Sequence, residues 1–133
     1  MIDLGPGIAV LRAEIDAFYA GFGNPPALRD AFDAAVLLVP LAPGSRIMTS
    51  SYGGVDWICT FTRVEEYAHW LSERGELDPQ REYPYRTVSG SRLSEYAAGC
   101  AEPTGVTVDI TGAAPMAFPP NVTDEQISQE QGV

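Results

Sequence analysis

The sequence predicts a domain of the α+β class, in which a single mixed sheet of about five strands is flanked by three or four helices. Two observations lead to this class. The length of 133 residues fits one domain. Residues 52–75 contain in succession a turn, a strand, a helix start, an amphipathic helix and a glycine stop. The α/β domain is expected over residues 1–120, and a polar C-terminal tail over residues 121–133.

The chain opens with a predicted helix over residues 7–22. Its apolar residues recur on one helical face: Ile8, Leu11, Ile15, Phe18, Tyr19 and Phe22. We interpret this segment as a helix that covers the sheet, although a helix that binds a partner would show the same pattern. A second helix is expected near residues 26–34, with Asn24 as its N-cap and Pro25 as its first residue. Its predicted inner face consists of Leu28, Ala31 and Phe32.

Three strands should follow these helices. Residues 35–41 form a continuous apolar run, which is typical of a central strand covered on both faces. Residues 46–52 and 55–61 are predicted to pair as a hairpin through Gly53 and Gly54, because tight turns favour residues that accept positive φ. Alternation in the second hairpin strand predicts four inward side chains: Val55, Trp57, Cys59 and Phe61.

The next predicted helix spans residues 63–74. Thr62 and Glu65 have the spacing of a capping box, and Gly75 has the position of a left-handed C-terminal residue. The expected buried stripe consists of Val64, Tyr67, Ala68 and Leu71, with Trp70 beside it.

The last elements alternate again. Residues 83–88 predict a short strand that begins at Pro84 or lies at a sheet edge, because proline donates no hydrogen bond to a ladder. Residues 91–100 predict a helix capped by Ser91, and residues 106–110 a final strand. Leu93, Tyr96, Ala97 and Cys100 form the inner stripe expected for this helix, and Val106, Val108 and Ile110 the inner face expected for the strand. We expect a loop over residues 112–120.

Several of these local patterns together resemble the SseB N-terminal domain family. The residues that carry the resemblance are Val39-Pro40, Phe61-Thr62, Glu65-Glu66, Ser89-Gly90 with Leu93, and Gly105 to Val108. The resemblance covers residues 8–120 and implies a single α/β domain with no assigned enzymatic activity. The lysine-free, alanine-rich and arginine-rich composition resembles that of actinobacterial proteins.

Charge argues against binding to nucleic acid. The net charge is −10, from 18 acidic residues against 8 arginines. The arginines are spread evenly along the chain, so no basic stripe faces a phosphate backbone. The sequence has no apolar run of membrane-spanning length and no basic region before an apolar core near its start, so we expect neither a membrane span nor a signal peptide. Cys59 and Cys100 are expected to be buried thiols, with a disulfide as the alternative, and together these features favour the cytoplasm.

The sequence contains no recognisable catalytic or cofactor-binding set. His69 is the only histidine, and no serine lies in a nucleophile elbow. Metal-ligand spacings and phosphate-binding glycine loops are also missing, so we expect no cofactor and no metal. An enzyme that uses His69 or a carboxylate pair is the weakest of the functional hypotheses.

Aromatic side chains with polar groups are frequent between residues 52 and 85, which favours a protein-interaction or regulatory module. The candidate interaction surface consists of Trp70, Tyr83, Tyr85, Arg86 and Asp56. The alternative is a small-molecule sensing domain with a pocket lined by Arg86, Asp56 and Tyr83. A homodimer formed through the helix over residues 7–22 or the edge over residues 83–88 is a third arrangement.

Overall fold

The computed structural model describes residues 4–120 and confirms the α+β class. The tail expected over residues 121–133 lies outside the described residues. The described part of the chain contains four helices and seven strands: α1 (Gly7–Tyr19), α2 (Pro25–Ala34), β1 (Val36–Ala42), β2 (Arg46–Ile47), β3 (Ser50–Tyr52), β4 (Val55–Thr60), α3 (Val64–Glu73), β5 (Tyr85–Ser89), α4 (Gly90–Ala98), β6 (Thr104–Val108) and β7 (Met116–Phe118).

The strands form two sheets, not the single sheet expected. Their orders are β2-β1-β5 and β3-β4-β6-β7, and all pairs are antiparallel except β4 with β6. One isolated bridge joins the sheets, in which Leu38 and Phe61 exchange two backbone hydrogen bonds of 3.0 Å. The ladder does not continue because Pro40 has no N–H to donate and its carbonyl accepts from Met48 instead. The strand predicted over residues 46–52 is therefore divided, with β2 in one sheet and β3 in the other.

Strand β1 is covered on both faces, as predicted. Leu37 and Val39 belong to a core that also receives buried residues from α1, α2, α4, β4, β6 and β7. Leu38 points to the opposite side, where it packs in a second core with Phe61 and three residues of α3: Tyr67, Trp70 and Leu71. The alternation of β1 residues between two cores explains why its sequence shows no alternation of polarity.

Helix α1 confirms only the first part of its predicted stripe. Leu11 and Ile15 are buried, but Phe18 and Tyr19 are about half exposed. The helix ends at Tyr19 because the chain takes a positive φ of 88° at Gly21, and Phe22 lies beyond the end with 83% of its surface exposed.

Helix α2 begins as predicted. The Asn24 side chain accepts a hydrogen bond from the Ala27 amide, and Pro25 is the first helical residue. The predicted inner face of Leu28, Ala31 and Phe32 is buried.

The inner face predicted for β4 is wrong in part. Ile58 and Thr60 are fully buried, whereas Val55, Trp57 and Cys59 are half-buried. The side chain of Ile58 packs in the larger core, whereas that of Cys59 packs at the margin of the smaller core, on the other face of β4.

The capping box predicted for α3 is also wrong. Arg63 is the N-cap and makes no side-chain cap, because Thr62 is instead bound to Asp109. In the buried stripe Tyr67 and Leu71 are confirmed, but Val64 is exposed. Gly75 has the predicted positive φ, at 69°.

Helix α4 begins at Gly90, one residue before the predicted helix over residues 91–100, and Ser91 is not its N-cap. Its N-cap is Ser89, whose hydroxyl accepts from the Arg92 amide, because the Gly90 amide is held by the carbonyl of Ala35. Leu93 is the buried residue of the predicted stripe, while Tyr96 is exposed.

The final strands also differ from the prediction. β6 ends at Val108, and Ile110 is exposed beyond it. β7 lies where a loop was expected, and it pairs with β6.

Candidate functional site

A cleft of about 730 Å³ lies where the two sheets separate. Beyond the Leu38–Phe61 bridge, β1 continues with β2, whereas β4 pairs with β3 and β6, so the space between them is left open. The walls come from the β1–β2 hairpin, the first residues of β4 and β6, and the segment after α4. The cleft is an open groove on the surface and not an enclosed cavity.

Two arginines line the cleft from either side of β1, and they lie opposite Ala42 and Val39, so their side chains leave opposite faces of the sheet. Arg46 lies on β2 and Arg86 on β5, and within residues 4–120 neither takes part in an ion pair. The Arg46 Nε donates to the carbonyl of Pro43 at 3.4 Å, which is a weak hydrogen bond. The guanidinium of Arg86 has no hydrogen-bond partner among the described residues.

The opposite wall of the cleft carries two carboxylates. Asp56 accepts a hydrogen bond of 2.6 Å from the Ser51 hydroxyl, and Glu102 lies on the loop after α4. The remaining wall is largely apolar, with contributions from Ile47, Met48 and Tyr96. The cleft is therefore lined by charged side chains of both signs beside an apolar surface.

The predicted interaction surface is divided by the fold. Asp56 and Arg86 both line the cleft, so the structure brings these two together. The ring of Tyr85 lies on the other face of β5, where it contacts Tyr67 edge-on at 6.3 Å between centroids. Because successive residues of a strand point to opposite faces, Tyr85 and Arg86 do not contribute to one surface.

Two of the predicted aromatic residues are largely covered. Trp70 is 4% exposed and packs in the smaller core, with the Arg74 guanidinium 4.6 Å from its ring centroid. Burial removes Trp70 from the surface to which the sequence assigned it. Tyr83 is half-buried, and its hydroxyl is held by the backbone of Glu76 and Asp78. Tyr83 does not line the cleft with Arg86 and Asp56.

Strand β5 lies at the edge of its sheet, as predicted for residues 83–88. In an antiparallel pair of strands, every second pair of opposite residues exchanges hydrogen bonds. The Leu41 amide donates to the Pro84 carbonyl and the Gly90 amide to the Ala35 carbonyl, which shows which pairs of the β1–β5 ladder are the hydrogen-bonded ones. Arg86 therefore occupies a hydrogen-bonded pair, and the N–H and C=O of Tyr85 and Thr87 point to the open edge. The side chains of Tyr85 and Thr87 are both exposed.

A second polar cluster lies at the opposite end of β4 and β6, where these parallel strands terminate. Asp109 accepts hydrogen bonds from the amide and hydroxyl of Thr62, and burial raises the pKa of its carboxyl group above the ordinary value. Arg12, Arg63 and Glu66 line the same small cavity of about 180 Å³. Sequence reasoning missed Asp109, although its position directly after a buried strand is a signal for such a role.

His69 does not meet a nucleophile in the described chain. It is exposed on α3 and lies 3.2 Å from the Glu73 carboxylate. The thiols of Cys59 and Cys100 are unpaired and half-buried, and burial raises the pKa of Cys59. Residues 4–120 contain no group of three or more His, Cys, Asp or Glu side chains that could hold a metal. No helix within the described range is long and apolar enough to cross a membrane.

No family model matches the chain, and no curated protein or solved structure is significantly similar to it.

Proposed function

We propose that this chain is a non-catalytic protein-interaction module that binds an extended segment of a partner protein along the open edge of β5. The observation that carries the proposal is the outward direction of the Tyr85 and Thr87 backbone groups on an exposed edge strand. Edge strands with free N–H and C=O groups accept a further strand, and main-chain hydrogen bonds then supply affinity.

Tyr85 supplies a side-chain contact for such a partner. Its ring is 37% exposed, and the edge-on contact with Tyr67 fixes its position from behind. A partly exposed, preordered aromatic ring is a favourable interface anchor, because it adds contact area at low entropic cost. The partner segment should therefore carry an apolar side chain opposite Tyr85.

Other features support the same proposal. The resemblance to the SseB N-terminal domain family implies a domain without assigned catalysis, and it remains a prediction. Two unpaired thiols favour the cytoplasm as the compartment, where disulfides are rare. We include this compartment in the proposal.

The test uses a proline that blocks the edge without breaking the sheet. The Thr87 amide points away from β1, so Thr87→Pro removes an outward donor and leaves the β1–β5 hydrogen bonds in place. Thr87→Val is the matched control because it keeps the amide and the β-branched shape. Peptides selected from a random library on the wild-type protein should bind the Val variant and lose affinity for the Pro variant by at least about tenfold.

Nuclear magnetic resonance shifts should locate the bound peptide at β5. Equal binding to the Pro variant, shifts confined to other elements, or a library that yields no binder would contradict the proposal. Light scattering distinguishes a separate partner protein from a second copy of this chain at the β5 edge. A wild-type dimer that becomes monomeric in Thr87→Pro would identify the second copy as the partner.

A further inference from the structure

We infer that a small pocket between α2 and α4 binds an uncharged organic molecule with one ring, whose carbonyl oxygen accepts hydrogen bonds from the guanidinium of Arg29. The pocket has a volume of about 310 Å³, is partly open to solvent and lies over β6 and β7. This inference does not depend on the proposed function, because β5 contributes no residue to the lining of the pocket.

The pocket exists because α4 carries a short side chain where it faces α2. The two helices meet at Gly90, where a Cβ would clash with the carbonyl oxygen of Phe32. The next link between them is the hydrogen bond of 2.7 Å from Arg29 to the Ser94 hydroxyl. Ala97 follows one turn later on the same side of α4, and its methyl group is too short to fill the space beyond Ser94.

The guanidinium itself, and not only the stem of the side chain, lies at the wall of this pocket. One terminal nitrogen of Arg29 donates to Ser94, and the central guanidinium carbon lies 5.6 Å and 5.9 Å from the ring centroids of Phe32 and Phe118. These three neighbours all line the pocket. The Nε of Arg29 lies 3.4 Å from the carboxylate of Asp33. Contacts from α2, α4 and β7 thus fix the group before any ligand arrives, which lowers the entropic cost of binding.

The charges around Arg29 favour an uncharged acceptor. A guanidinium has five N–H donors, of which Asp33 and Ser94 engage two, so three have no protein partner within residues 4–120. The Asp33 carboxylate offsets the positive charge, and Glu102 adds a negative charge to the lining. An anion therefore gains little net attraction here, whereas an uncharged carbonyl oxygen still receives charge-assisted hydrogen bonds.

The floor of the pocket favours a ring as the body of the ligand. Val106 and Phe118 are buried and apolar, and the Thr104 hydroxyl beside them already donates to the Glu102 carbonyl at 2.9 Å. Ligand pockets commonly have volumes of about 300–1,000 Å³. The α2–α4 pocket lies at the lower end of this range, so it suits a molecule with a single ring.

Nuclear magnetic resonance titration of the full chain tests this inference with three probes of similar size: acetanilide, toluene and benzoate. Acetanilide should bind saturably and shift the resonances of Ala97, Val106 and Phe118. It should bind more tightly than toluene, which has no carbonyl group, and more tightly than benzoate, which is an anion.

Two variants with matched controls test the residues. Arg29→Met should weaken acetanilide binding by about tenfold or more, because it removes the charged donors. Arg92→Met, at an exposed position of α4 outside the pocket, should change the affinity less than about twofold. Ala97→Leu should fill the pocket and remove measurable binding, whereas Ala13→Leu, at an exposed position on α1, should not. Thermal unfolding confirms that each variant is folded.

Three results would overturn the inference: no saturable binding of acetanilide, equal or tighter binding of toluene or benzoate, or unchanged affinity in folded Ala97→Leu. The comparison of the three probes uses the wild-type protein, so it decides the question even where a variant does not fold. Thr87→Pro should leave the acetanilide affinity unchanged, which separates this pocket from the proposed protein-binding edge.

Discussion

Asp109 is joined to Thr62 by two hydrogen bonds, of 2.9 Å from the backbone amide and 2.7 Å from the hydroxyl. The two residues follow the parallel strands β6 and β4, so the pair closes the ends of both strands. Asp109 has a positive φ of 50°, a conformation that aspartate and asparagine tolerate better than most residues. The contact also explains why Thr62 does not cap α3.

Asp109→Asn tests the energetic effect of this buried carboxyl group. Burial raises the pKa of Asp109 in the folded state, so the folded chain binds the proton more tightly than the unfolded chain. The resulting stability is complete below the unfolded pKa and is lost as the pH rises through the folded pKa. The free energy of unfolding of the wild type, relative to Asp109→Asn, should therefore fall with rising pH across the acidic range.

Urea unfolding at a series of acidic pH values measures this difference. Asp30→Asn, at an exposed position on α2, is the matched control for the removal of one carboxyl group. A wild-type advantage over Asp109→Asn that grows with pH would have the wrong sign and would refute the prediction.

Gly90→Ala should destabilise the fold through overpacking. A Cβ at Gly90 would lie 1.9 Å from the carbonyl oxygen of Phe32, at the point where the start of α4 meets the end of α2. Backbone must move to relieve this clash, and such overpacking costs about 1–3 kcal/mol or more. Thermal or urea unfolding should show the loss.

The control for Gly90→Ala is Gly99→Ala. A Cβ at Gly99 meets its neighbours at an ordinary 3.6 Å, and φ there is −86°. This substitution should be neutral or stabilise by up to about 1 kcal/mol, because alanine lowers the entropy of the unfolded chain. Equal losses in both variants would show that the α2–α4 contact is not the cause.

Trp70→Ala should lower stability strongly, in contrast to Tyr85→Ala. Trp70 packs against Phe61 and Tyr67 at centroid distances of 5.5 Å and 6.2 Å, so its removal leaves a cavity in the smaller core. Loss of a buried tryptophan costs about 3–5 kcal/mol. Tyr85→Ala removes a partly exposed ring and should cost about 1 kcal/mol or less by the same unfolding measurement. A smaller effect for Trp70 than for Tyr85 would contradict the assignment of Trp70 to the core.

Cys59 should react more slowly with iodoacetamide than Cys100 in the native protein. Burial raises the pKa of Cys59, and the thiolate is the reactive form. Mass spectrometry of single-cysteine variants, Cys100→Ser and Cys59→Ser, measures the two rates separately. The rates should become similar in denaturant, and a faster native reaction at Cys59 would contradict the prediction.

Local patterns in the sequence predicted most element positions because each depends on neighbouring residues. Asn24 with Pro25 defined a helix start, and Gly53-Gly54 a hairpin, through backbone preferences that hold in any fold. Thr62 failed as a cap because a residue 47 positions later competes for the same hydroxyl. Contacts between residues so far apart in the chain cannot be predicted from the spacing of neighbouring residues.

The candidate site was only partly predictable for a similar reason. Asp56 and Arg86 could be selected as polar groups beside aromatic residues, but Arg46 joins them only because β1 leaves β4 and pairs with β2. Trp70 was assigned to a surface because a tryptophan beside an apolar stripe can be buried or bare. Its burial depends on Phe61, which the bridge to Leu38 places beneath α3.

The Leu38–Phe61 bridge has a mechanical consequence. Two backbone hydrogen bonds connect the sheets at this seam, in place of a continuous ladder. Side chains of both sheets, among them Val39, Ile58 and Val106, pack together in the larger core behind this seam. Because close-packed interiors resist rearrangement, we expect side-chain packing, and not the hydrogen-bond ladder, to fix the orientation of one sheet against the other.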